Sequence, residues 1–400
     1  MERHHRVLAT CFGAISALGP LALDMYLSAM PTMAAEFGAA EGRIEQSVMV
    51  FFLGFCLGQL VFGPLSDRTG RKPVVLIGLT LYLVASVGAA SAGTLDQFIA
   101  WRALQGIGGS VGMVIAMASI RDLFTGAMAA KLLSMVVMVL GLAPVVAPIL
   151  GSAILAVAPW QAIFALQAVI AALVLLVVWR AMPETRSPEA RQASRPSRAF
   201  GTYIRLLFDR SFIPYAGTMA LSQGGFFAYI SVISVVLISV FGVSTFWFSI
   251  IFAGNALGLA VTSQVAGRLV ARVGAMRLAR MACLFRGGVA VVMIALVVTG
   301  GLTLPWFVGL CFLLVASLGC VMPCCSVLAL ERQGQNAGVA SALMGALGFG
   351  CGAVVSGLVA ALSDGTAAPI AILLSASALL ALAVSVFGFS SEMETAVAAE

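Results

Sequence analysis

The sequence predicts an all-α integral membrane protein, twelve transmembrane helices in two pseudo-symmetric six-helix bundles. Three observations carry this: a composition unfit for a water-facing surface, twelve apolar runs long enough to cross a bilayer, and a loop motif repeated half a chain later. Of the 400 residues, 61% are hydrophobic and 10% charged, with a mean hydropathy of +1.08. Soluble domains carry roughly 25% charged residues.

Runs of about 20 apolar residues, enough for a ~30 Å hydrocarbon core, fall at 7–28, 46–64, 74–93, 97–120, 132–155 and 160–181. A second set falls at 213–240, 245–267, 278–299, 302–325, 337–362 and 367–389. The first run is too long for a cleaved signal peptide and is expected to stay in the protein. Residues 1–182 form the expected N-terminal bundle and 211–400 the C-terminal one. Between them 183–210, polar and containing Pro188 and Pro196, reads as a cytoplasmic linker without hydrophobic period.

Lysine and arginine set the orientation. With the N-terminus inside, Arg3, Arg6, Arg68 to Lys72, Arg121, Lys131, seven arginines from Arg180 to Arg210, Arg268 to Arg280 and Arg332 fall on the cytoplasmic side. Only Arg43 remains in the opposite loops, so both termini are expected in the cytoplasm. The net charge of +6 is thereby assigned to headgroup attraction and topology, and nucleic acid is excluded as a partner.

Between the second and third runs lies Gly63-Pro64-Leu65-Ser66-Asp67-Arg68-Thr69-Gly70-Arg71-Lys72-Pro73, read as a tight charged turn beside the headgroups. Shifted by 204 residues it meets Gly267-Arg268-Leu269-Val270-Ala271-Arg272-Val273-Gly274, which matches Gly63, Leu65, Arg68 and Gly70 and replaces Asp67 by Ala271. An echo half a chain apart points to duplication.

One carboxylate lies within a span: Asp24. Placing it there costs on the order of 2.5–3.5 kcal/mol even on the insertion scale, so it calls for a partner, a wet cavity or a proton. Solvation by the outer headgroups, with Pro31 seven residues on, is the plainer alternative. Arg102, at similar depth in the antiparallel fourth run, is the expected partner. Gln105, Gly109 and Met113 follow it at helical spacing, and Gly106, Gly108, Gly109 and Gly112 read first as close-packing positions.

Further motifs narrow the reading. Asp24-Met25-Tyr26-Leu27 with Met30-Pro31, then Gln46, Gln59 and the charged loop, Arg102-Ala103-Leu104-Gln105-Gly106, and Trp160-Gln161-Ala162-Ile163-Phe164 resemble the bicyclomycin and chloramphenicol resistance (Bcr/CflA) subfamily of the major facilitator superfamily. The resemblance covers essentially the whole chain. Gly141-Leu142-Ala143-Pro144-Val145-Val146-Ala147-Pro148-Ile149-Leu150-Gly151 looks like that superfamily's antiporter motif. Its prolines would bend the helix and its glycines permit close approach, although a merely kinked helix would look the same.

The resemblance implies proton-driven efflux of small amphipathic drugs across the bacterial inner membrane by alternating access, with the proton gradient as energy source and no cofactor. Asp24 and Arg102 would couple the proton, while Asp67, Arg68 and Arg71, with Gly63 and Gly70, would latch the cytoplasmic side. Substrate-cavity candidates are Tyr26, Gln105, Met113, Gln223, Phe226, Phe227, Tyr229 and Asn255, each of which could equally be ordinary packing. A monomer is expected. Transport of a natural metabolite is the rival reading and a non-transporting receptor a distant one.

Two features depart from the family's pattern: Ser28 stands where relatives often have proline, and Arg286 lies inside the ninth run, read first as snorkelling to the interface. Eight cysteines in the spans read as apolar packers. With only His4 and His5 in the tail, no metal site is expected, and the chain shows neither a phosphate-binding loop nor a catalytic triad. The chain is not expected to be an enzyme.

Overall fold

A computed structural model describes residues 2–39, 42–124, 126–194 and 196–389; the side chains of Arg3, His4, His5, Arg6 and Lys131 lie outside the described part. The chain runs α1 (Glu2–Asp24), α2 (Met30–Glu36), α3 (Gln46–Thr69), α4 (Arg71–Ala90), α5 (Leu95–Leu123), α6 (Gly126–Leu155) and α7 (Gln161–Ala181). Two shorter helices follow, α8 (Pro188–Ala193) and α9 (Pro196–Leu207). The remainder is α10 (Ile213–Val235), α11 (Thr245–Val273), α12 (Ala275–Val298), α13 (Leu304–Leu330), α14 (Ala337–Leu362) and α15 (Ala368–Gly388). Among the described residues twelve segments are long and apolar enough to cross a membrane, at the places the apolar runs predict.

Three local departures from the sequence reading have plain causes. The first segment does not stop near 28 but extends from Thr10 to Glu36 through a short 3-10 turn, Leu27–Ala29, because Pro31 starts α2 in its first turn, where a missing N–H costs nothing. The charged turn expected over 63–73 shrinks to one residue: α3 continues through Pro64 to Thr69, and α4 begins at Arg71. Gly70 alone makes the reversal, at φ 109° and ψ 155°, a conformation essentially reserved for glycine. Gly274 repeats it between α11 and α12 at φ 83° and ψ 148°, so the two copies of the motif share a backbone device as well as a sequence.

The third departure is the linker. Residues 183–210 carry α8 and α9, and in α9 Tyr203 and Leu206 are buried while Ile204 and Leu207 are exposed. Phe200, Tyr203, Ile204 and Leu207 recur at helical spacing within a segment that looks polar only on average.

By contact the chain separates into two compact units, Met1–Phe200 with Ile230–Ala253, and Gly201–Tyr229 with Gly254–Glu400. In the first, α5 is central and packs on α1, α3 and α4, while α7 packs on α4 and α1. Glycines let α5 in: an added methyl would strike the carbonyl of Phe51 at Gly106 and that of Ile15 at Gly112. In the second, α12 lies between α13 and α15.

Candidate functional site

α1 ends inside the protein. Leu23, Asp24, Met25, Tyr26, Leu27, Ser28, Ala29 and Met30 are all buried, so the carbonyls at the end of α1 cannot turn to water. Polar side chains from α5 and α7 meet them. Arg102 donates from Nη1 to the carbonyl of Ala22 at 3.0 Å and also to Gln105 Oε1. Gln105 Nε2 donates to Ser86 Oγ at 2.8 Å and to Gln167 Oε1 at 2.9 Å. Gln167 Nε2 returns to the carbonyl of Leu21 at 3.2 Å, and Tyr82 donates its hydroxyl to that of Leu18 at 3.1 Å.

The Arg102 guanidinium lies 4.2 Å from the centre of the Tyr26 ring and 4.5 Å from that of Phe51. Its charge also faces the negative end of the α1 dipole. No ion pair joins Arg102 to Asp24 among the described residues. Asp24 is 2% exposed, and its Oδ1 has no hydrogen-bond partner among them. The expected pairing is therefore replaced by helix capping: the carbonyls of a broken helix compete for the same cation. Burial also rules out solvation of Asp24 by the outer headgroups.

The other candidates divide between the two units. In the first, Tyr26 is buried against Phe98 and Phe164 with its hydroxyl 3.0 Å from Ser47 Oγ, Gln105 lies inside the network above, and half-buried Met113 offers its sulfur to Gln59 Nε2 at 3.9 Å. In the second, Asn255 donates to the Tyr229 hydroxyl, Phe227 stacks on Phe349 at 4.6 Å and neighbours Phe226, and the Oε1 of Gln223 is buried without a partner among the described residues. Arg286 does not snorkel. It is 1% exposed, mid-way along α12, and donates to the carbonyl of Leu314 and, at 3.2 Å, to Ser317 Oγ. Glu45, just before α3, is a second buried carboxylate that the sequence pattern did not single out.

The charged loop becomes a cluster. Arg71 pairs with Asp67 at 2.8 Å and Asp122 at 2.9 Å, and Arg186 approaches Asp122 at 3.6 Å and Asp67 at 3.9 Å. Arg68 reaches the carbonyl of Ser194 at 3.3 Å. Glu184 caps α4, accepting from the N–H groups of Arg71 at 2.9 Å and Lys72 at 3.2 Å. An added methyl on Gly70 would collide with that carboxylate, so Gly70 serves both the reversal and the cap. Asp122, Glu184 and Arg186 were missed by sequence reasoning. Their signal was faint, charges placed just past the ends of the fourth and sixth runs. Gly63 meets nothing closer than Val114 at 3.7 Å.

The antiporter segment lies within one unbroken helix, α6, through Pro144 and Pro148. Gly151 lies so close to the broken end of α1 that a methyl would collide with the carbonyl of Met25, whereas Gly141 has nothing within 4 Å. Close approach thus belongs to Gly151 and not to Gly141. Ser249 donates to the carbonyl of Pro148 at 3.2 Å and lies 2.6 Å from Ser152 Oγ.

Comparison with known proteins fits this architecture. The family model of the Major Facilitator Superfamily matches residues 12–357. The uncharacterized MFS-type transporter YdgK of Bacillus subtilis is 34% identical over 96% of both chains. A bicyclomycin resistance protein homolog of Haemophilus influenzae is 31% identical over 89% of both. A chloramphenicol resistance protein of Pseudomonas aeruginosa is 32% identical over 71% of this chain and 66% of its own. Among solved structures, a D-xylose-proton symporter superposes over 96% of both chains with a TM-score of 0.71 at 18% identity, which speaks for the fold alone. These relatives are transporters and not enzymes, and the chain belongs to the major facilitator superfamily, with relatives in its bicyclomycin and chloramphenicol resistance branch.

Proposed function

We propose that the protein exports small amphipathic drugs of the chloramphenicol or bicyclomycin type from the cytoplasm in exchange for protons, working by alternating access in a bacterial inner membrane with both termini cytoplasmic. The observation that carries the reading is Asp24, a buried carboxyl without an ion pair among the described residues, set at the broken end of α1. The names of the relatives support drug cargo, and the positive-inside distribution supports the orientation.

In this reading Asp24 is the group that exchanges a proton. Arg102 has two uses open to it, the α1 carbonyls it now holds or the Asp24 carboxylate, and a conformational change that moved it from one to the other would tie protonation to the access state. The Asp67, Arg71, Asp122 and Arg186 cluster would hold one state closed, and Gly151 would let α6 slide on the broken end of α1.

The test is proton release on adding chloramphenicol or bicyclomycin to purified protein, wild type beside Asp24→Asn. Release from the wild type alone supports both the cargo and the proton site. Release from both keeps export but removes Asp24 from the coupling, and silence from both overturns drug cargo.

A further inference from the structure

α9 lies immediately before a membrane crossing. Residues 208–212 separate it from α10, and that turn is held rather than loose. Asp209 Oδ1 accepts from the N–H of Ser211 at 2.8 Å and its hydroxyl at 2.7 Å, while Oδ2 accepts from Gln333 Nε2 at 3.3 Å. The carbonyl of Asp209 accepts from Phe212 and Ile213, the start of α10. The end of α9 is therefore fixed at the depth where α10 enters the bilayer.

Its surface is two-sided in a way packing does not use up. Tyr203 and Leu206 face the protein. Next to them, Ile204 is 62% exposed, Leu207 is exposed too, and Phe208 is 82% exposed just after the helix. Arg205 and Arg210 are also exposed, and the nearby carboxylate of Asp209, hydrogen-bonded within its own turn and to Gln333, offsets Arg205 only in part. Apolar side chains beside exposed arginines, at the mouth of a membrane span, match a surface that is oily below and anionic above.

We propose that the segment from Tyr203 to Arg210 is an interfacial anchor lying on an anionic phospholipid leaflet. Ile204, Leu207 and Phe208 sit among the upper acyl chains, and Arg205 and Arg210 engage phosphate-bearing headgroups. The segment between the spans is then a lipid-reading element and not a tether. Salt and lipid charge should act on it as they do on other basic amphipathic segments.

The test places Phe208→Trp in the full chain, reconstituted in nanodiscs of phosphatidylcholine alone or with phosphatidylglycerol, and reads its emission as a difference from the wild type. Expected is a blue-shifted signal quenched by lipids brominated near the headgroup, with the quenching at least halved when Arg205→Gln and Arg210→Gln are added or the anionic lipid is left out. A difference signal quenched fully by aqueous iodide and untouched by brominated lipid overturns the proposal. So does quenching that ignores lipid charge, or an emission shift that appears in detergent and follows dimer formation by light scattering. Ile204→Ser, read by the same tryptophan, guards against a local effect of the probe and should weaken the quenching without changing the protein's elution volume.

Discussion

Arg102 Nη1 donates to the carbonyl of Ala22 at 3.0 Å, across 80 residues of sequence, and so closes the buried end of α1. The same nitrogen also holds Gln105 Oε1. Replacing Arg102 by Ala strands both acceptors, each at about 1–3 kcal/mol. Thermal melting in detergent should fall clearly for Arg102→Ala and less for Arg102→Lys, which keeps the charge but loses the fork of donors.

Asp24→Asn should behave in the opposite way. Because Oδ1 has no partner to lose, stability should change by less than roughly 1 kcal/mol, the net worth of one ordinary hydrogen bond. Melting curves that coincide with the wild type, alongside lost drug-dependent proton release, would separate a functional carboxyl from a structural one. A large drop in melting temperature would make Asp24 part of the scaffold.

Gly70 and Glu184 should be coupled. Gly70→Ala forces a glycine-only conformation, at on the order of 1–3 kcal/mol, and pushes on the Glu184 carboxylate; Glu184→Ala uncaps α4 at about 1 kcal/mol. Once Glu184 is gone the added methyl has less to strike, so the double variant should melt above the temperature expected from adding the two losses.

The two glycines that bound the antiporter segment should part company. Gly151→Ala drives a methyl into the carbonyl of Met25 and should depress transport several-fold; Gly141→Ala, with open space around it, should transport like the wild type. Uptake of labelled drug into inverted vesicles, normalised to protein level, measures both. Equal loss in the two variants would place the effect in helix bending and not in contact with α1.

Apolar length made the twelve spans readable from sequence, since it is a periodic signal, and the charged motif marked where the chain reverses but not that Gly70 alone reverses it. The partners were not. Arg102 at a helix end, Arg71 on Asp122 and Glu184 on α4 each join residues 51 to 113 apart, and nothing in one chain's pattern says which of several arginines a buried acceptor will recruit. Gln105 and Tyr26 were named as cavity candidates, and the fold gives both interior contacts. The period in α9 was present in Phe200, Tyr203, Ile204 and Leu207 but was masked by the arginines around it.

The cap on α4 has a consequence for biogenesis. Glu184 lies 113 residues beyond Arg71, whose N–H it receives. At ~5–20 residues per second the ribosome needs roughly 6 to 23 seconds to supply it. Until then the third membrane segment waits with its first amides open, and a nascent chain released before Glu184 would leave the first unit like a cask without its last hoop.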